Sequence, residues 1–184
     1  VRQVHRRDFH MTITYVQGDA TEPQVSGNRI IAHVCNDVGA WGRGFVLALT
    51  NRWPKSEHAY RRWYQDQERA LVDPELSTQV SINQRMKLGN VQYVRVAAHD
   101  DAGGEIEYTY VANMIGQHGI MVRDGMPPIR YDSLERCLEH VAFFVQTLGG
   151  ASVHMPRVGC GLAGGKWSEV EPIIVRAMGD VPVY

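Results

Sequence analysis

Two glycine-rich segments carry the residue types best suited to holding an anion. One is Trp41-Gly42-Arg43-Gly44-Phe45, preceded by the polar pair Asn36-Asp37, and the other is Gly159-Cys160-Gly161-Leu162-Ala163, followed by Gly164-Gly165-Lys166. Glycine lets backbone N–H groups approach a phosphate closely, and a helix opening just afterwards adds a favourable dipole. A plain structural turn remains an equal reading of the first loop alone. An amide such as Asn36 can donate to and accept from sugar hydroxyls. Gly18-Asp19-Ala20-Thr21 offers a carboxylate able to accept from an exocyclic amine, although an Asp capping its own turn fits those residues too. The stretch through Asn113, Gln117 and His118 ends a strand-like run with polar groups that suit a ribose. Gly159, Gly161 and Gly164 also satisfy the dinucleotide fingerprint G-x-G-x-x-G. That fingerprint normally opens a two-part fold, whereas only about twenty residues follow it here.

The elements that must position these groups alternate in type. Strand-like runs rich in Val, Ile, Tyr or Thr occupy residues 13–16, 30–34, 91–97, 107–112, 152–155 and 181–184. The turn Asp100-Asp101-Ala102-Gly103-Gly104 predicts an antiparallel hairpin between the third and fourth. Leu134, Leu138, Val141, Val145 and Leu148 recur at helical spacing, with Asp132 expected as N-cap and Glu135 completing a capping box. Further helices are expected around residues 168–178 and through Ala59, Tyr60, Trp63 and Tyr64. The run 45–49, apolar all round, reads as a short buried helix. Strands interleaved with helices predict an α/β fold, a three-layer α/β/α sandwich with a six-stranded mixed sheet. Ligands of such sheets bind beyond the carboxyl ends of the strands.

Composition bounds the partners. The 184 residues, 44% apolar, suit one core and one domain over residues 11–184, with residues 1–10 read as an N-terminal extension. A net charge of -1 argues against a phosphate-backbone binder. No apolar run reaches the roughly 18 residues of a membrane span. Cys35, Cys137 and Cys160 form no paired framework, so a reducing, cytoplasmic setting is expected. The histidines show no metal-ligand spacing, and neither a metal nor a cofactor is expected. Cys160, between two glycines with no base at readable spacing, reads as a small residue and not a nucleophile. A monomer is the default.

In their order along the chain these motifs resemble the macrodomain family. The Gly-Asp opening, a strand ending in Asn before Gly-x-Gly, and Met155-Pro156-Arg157-Val158-Gly159-Cys160-Gly161-Leu162 before the last helix are similar to one branch of it. That branch contains terminal ADP-ribose protein glycohydrolase and the yeast ADP-ribose-1''-phosphate phosphatase. The resemblance runs from Met11 to Tyr184. It implies that ADP-ribose and ADP-ribosylated proteins are the partners and that Asp19 and Ala20 hold the adenine. It further implies that Asn36 contacts the distal ribose, and that Trp41, Gly42, Arg43, Gly44 and Phe45 form one phosphate loop. Gly159, Cys160, Gly161, Leu162 and Ala163 would form the other, with the diphosphate between two helix N-termini.

The branch's glycohydrolase uses a lysine before a Gly-x-Val strand, a position that Lys87-Leu88-Gly89-Asn90-Val91 matches, and an aspartate where this chain has Ala163. The resemblance thus implies a hydrolase removing ADP-ribose from acidic residues, with Lys87 as nucleophile or, given Ala163, a water oriented by Asp37 or by a ligand phosphate. A non-catalytic ADP-ribose reader and an ADP-ribose-1''-phosphate phosphatase are the alternatives, and a nicotinamide oxidoreductase is a distant further one.

Overall fold

A computed structural model describes residues 13–72, 85–100 and 103–184 of the chain. The expected N-terminal extension, residues 1–10, lies outside the described residues.

The chain runs β1 (Arg29–Asn36), α1 (Phe45–Arg52), α2 (Pro54–Val72), β2 (Val91–Asp100), β3 (Ile106–Gln117), α3 (Tyr131–Thr147), β4 (Ser152–His154) and α4 (Trp167–Met178). The sheet order is β2-β3-β1-β4, with β2 antiparallel to β3 and β1 parallel to both β3 and β4. The hairpin and the mixed character of the sheet are therefore as expected. Side chains alternate across each strand. Ile30, Ala32, Ala112 and Met114 pack on α3 and α4, whereas Ile31, Cys35, Val111 and Ile115 face α1 and α2. Helices thus cover both faces of the sheet.

Six strands were expected and four form among the described residues. Of the segments 13–16 and 181–184, only Ile13 and Val183 take part in strand-type pairing, as isolated bridges that extend the sheet beyond β4 in the order Val153, Val183, Ile13. Pro182 has no N–H to donate, so the pairing there is limited to the Val153-to-Pro182, Tyr184-to-Val153 and Met155-to-Tyr184 bonds.

The start of α3 also departs from expectation. The helix begins at Tyr131, and Arg130 holds the N-cap position with no side-chain cap bond, so Asp132 lies inside the first turn. Tertiary contacts hold the helix entry instead. The Arg130 N–H donates to the Gly116 carbonyl at 2.9 Å, and its guanidinium donates to the carbonyls of Pro127, Pro128 and Ile129. In α1 only Leu49 is fully buried and Leu47 is 50% exposed, so this helix is half-exposed and not buried all round. No helix among the described residues is long and apolar enough to cross a membrane.

Candidate functional site

β1 and β3 run parallel and end together, with Asn36 opposite Gln117. Each then leads into a turn, and the loop after β4 joins them, so three strand ends open on one cavity of about 940 Å³. Its floor is His33 to Asn36, one wall is Ala40 to Val46, and the opposite wall is Pro156 to Gly159 with Gly161 to Ala163; Gln117, Ile120 and Met121 close the rim.

The first wall is shaped by Asn36. Its amide oxygen accepts from the N–H groups of Val38 and Ala40 and from the Tyr60 hydroxyl, and its amide nitrogen donates to the Ala40 carbonyl at 2.6 Å. Asn36 is therefore first an organiser of the 36–40 turn. Trp41, 7% exposed, donates from its indole to Thr50, and its carbonyl accepts from Arg61. Gly44 caps α1 with φ 79°, a conformation that only glycine adopts readily, and the first-turn amides beyond it point out of the helix.

The second wall is a chain of turns. Gly165 donates to Gly159 at 2.7 Å, Gly164 to Gly161 at 3.0 Å, and the Ala163 carbonyl accepts from Ile129. The N–H groups of Gly161, Leu162 and Ala163 have no acceptor among the described residues. α4 begins only at Trp167, four residues past the last lining residue, Ala163. Of the two helix N-termini expected at the diphosphate, that of α1 lies at the cavity and that of α4 does not. On the second wall, turn amides replace a helix end.

His33 was not singled out by sequence and stands at the floor, 2% exposed. The Asn113 amide donates to Gln92 at 3.0 Å and to Ser56 at 3.4 Å, which leaves its oxygen to accept from His33 Nε2 at 2.6 Å. The imidazole is thus a neutral Nε2–H tautomer, and burial pushes its pKa down to about 4. It packs edge-on to Trp41 at 5.3 Å and against Phe45 at 6.2 Å, so a polar chain from α2 supports the first wall from below. A His inside an apolar strand gives no sequence signal of such a role. Its partner Asn113 lies 80 residues away.

The other expected site residues fall outside the cavity lining. Asp19 is exposed, and one of its oxygens accepts from both the N–H and hydroxyl of Thr21, the turn-cap arrangement; Ala20 neighbours it. Cys160 turns away between two lining residues, and burial raises its thiol pKa, which opposes nucleophilic use. Lys87 is exposed in the turn before β2 and contributes nothing to the lining. Asp37 is committed elsewhere: its two oxygens accept from the Gly119 N–H at 2.8 Å and pair with His118 Nδ1 at 2.7 Å. Neither of the two alternatives, Lys87 as nucleophile or Asp37 as the group that orients a water, is among the residues lining this cavity. No Asp, Glu or Lys lines the cavity among the described residues.

No protein-family model matches the chain. Among solved structures, a protein of unknown function from Bacteroides thetaiotaomicron is 46% identical, covers 94% of this chain and 96% of its own, and superposes with a TM-score of 0.77. A macrodomain protein from Streptomyces coelicolor is likewise 46% identical, over 93% of this chain and 95% of its own, with a TM-score of 0.68. Among curated proteins, the ADP-ribose 1''-phosphate phosphatase of Meyerozyma guilliermondii is 21% identical over 94% of this chain and 97% of its own length.

Proposed function

The chain belongs to the macrodomain family, and on that premise we propose that it binds ADP-ribose in the cavity and hydrolyses it from acidic residues of modified proteins. The observation that carries the reading is the pair of opposed amide surfaces, residues 42–46 and 161–163, across a cavity of about 940 Å³. Backbone donors and the α1 dipole neutralise a diphosphate without a basic protein. Arg43 and Arg157 are the cationic side chains of the lining.

The absence of a lining carboxylate or lysine bears on mechanism. Neither Lys87 nor Asp37 lines the cavity, and Asp37 is bonded to His118 and Gly119, which favours a mechanism that uses neither. In the reading that remains, a water held by the ligand's own phosphate attacks C1''. The bond from C1'' to the ester oxygen breaks, the carboxylate leaves with the electron pair, and the water proton passes to phosphate and solvent. A carboxylate is a good leaving group and needs no protonation, so an acid residue is dispensable. Same lining, second reading: a site without a titratable carboxylate also suits a non-catalytic reader.

The test is incubation with a protein mono-ADP-ribosylated on glutamate, following free ADP-ribose. Release by wild type and by Lys87→Ala, abolished in Gly44→Val, supports water attack. Calorimetric binding of ADP-ribose without release assigns the protein as a reader. Release of inorganic phosphate from ADP-ribose 1''-phosphate, with no release from protein, assigns it as a phosphatase. A reducing, cytoplasmic setting belongs to the same proposal, supported by three cysteines with no paired framework in the sequence.

A further inference from the structure

The rim of the cavity carries an apolar surface that the ligand alone does not explain. Between Gly119 and Pro127 the chain folds into a tight hairpin in which Arg123 and Met126 exchange backbone bonds of 3.1 and 2.8 Å. Asp124 and Gly125 at its tip have φ of 50° and 75°. The base of the hairpin is clamped: Asp37 accepts from the Gly119 N–H and pairs with His118, and the His118 N–H donates to the Pro128 carbonyl at 2.8 Å. This held loop exposes Ile120 at 58%, Met121 at 70%, Val122 at 63% and Met126 at 58%. Single exposed apolar side chains are ordinary, but four within seven residues of one clamped rim mark a contact surface. Ile120 and Met121 also line the cavity, so the surface runs continuously from the site to the outside.

We propose that this hairpin is the docking surface for the polypeptide that carries the ADP-ribosyl group, read through apolar contacts beside the modified residue. The inference rests on the binding reading above and deepens it by naming the carrier. A ligand attached to a protein must leave the cavity through its mouth with the carrier just outside, where Val122 and Met126 stand. The two charges of the hairpin, Arg123 and Asp124, cancel, so it offers a polyanionic nucleic acid no net attraction. Apolar side chains flanking the modified residue match it instead. Asp37 acquires its purpose here as a positioning residue that locks the hairpin to the end of β1.

The test compares wild type with Val122→Ser/Met126→Ser, neither residue being part of the lining. Free ADP-ribose is titrated by calorimetry, and a glutamate-mono-ADP-ribosylated protein and an ADP-ribosylated oligonucleotide are each assayed for release. The expected result is a KM for modified protein raised about tenfold in the double variant, with kcat, melting temperature and affinity for free ADP-ribose unchanged. If wild type releases nothing, the hydrolase reading fails by itself, and the same comparison is made on equilibrium affinity for the modified protein. Equal values for wild type and variant overturn the docking surface. A loss seen on the oligonucleotide and not on the protein overturns the polypeptide as occupant. A wild-type dimer that becomes monomeric in the variant reassigns the hairpin to self-association and likewise overturns the proposal.

Discussion

Against α3 and α4 the sheet presents Ile30, Ala32, Ala112 and Met114, and the helices answer with Leu134, Cys137, Leu138 and Val141, all fully buried. Against α1 and α2 it buries His33 and Asn113 beside Ile31, Val111 and Ile115, and the helices contribute Ser56 and Tyr60. Apolar packing is non-directional, so the first face contributes stability and tolerates volume-conserving apolar swaps best. Hydrogen bonds are directional. The chain from Ala59 through Gln92 and Asn113 to His33, and the Tyr60 bonds to Asn36, set the angle of the first cavity wall on the second face. The first face chiefly holds the fold, while the second aims the first cavity wall.

Substitutions on the two faces should therefore separate stability from binding. Leu138→Ala, on the apolar face, is expected to cost about 2–5 kcal/mol in urea unfolding. The affinity of the folded fraction for ADP-ribose should not change, and a weakened affinity there would dissolve the distinction.

Acid should strike the polar face. Folded His33 has a pKa lowered to about 4 from an ordinary 6.5, so the unfolded chain binds its proton first. Stability is complete above pH 6.5, is lost as pH falls towards 4, and levels off below. The loss is on the order of 3 kcal/mol. His154, buried and stacked on Tyr184, titrates in the same direction, so His33→Gln should flatten part of the profile measured by denaturant titration across pH.

Asn113→Leu leaves the His33 N–H and the Gln92 oxygen without their partner, for about 1–3 kcal/mol. Unlike the leucine change it should also weaken ADP-ribose binding, because His33 supports Trp41 and Phe45. Gly159→Ala acts on the second wall, where φ is 73° and a Cβ would stand 2.8 Å from Ile129. A stability cost of about 1–2 kcal/mol is expected, with weaker binding by calorimetry. Lys87→Ala should change ADP-ribose release less than about twofold; a loss of a hundredfold would restore the lysine mechanism.

The sequence by itself determined the α/β/α layering, the hairpin of β2 with β3, and the two glycine loops as opposite walls of a site. Each is encoded locally, by apolar period, by turn residues, or by glycines that a close backbone approach requires. Only the tertiary structure decided the rest. Asp132 reads as a cap until Arg130 is seen to anchor the helix entry, and only the fold reveals that Asp37 is bonded to His118 and Gly119. His33 reads as an ordinary strand residue until Asn113, distant in sequence, supplies its acceptor. A polar side chain's role depends on which partner the fold delivers to it, and that partner is set by strand register and packing instead of by its neighbours in the chain.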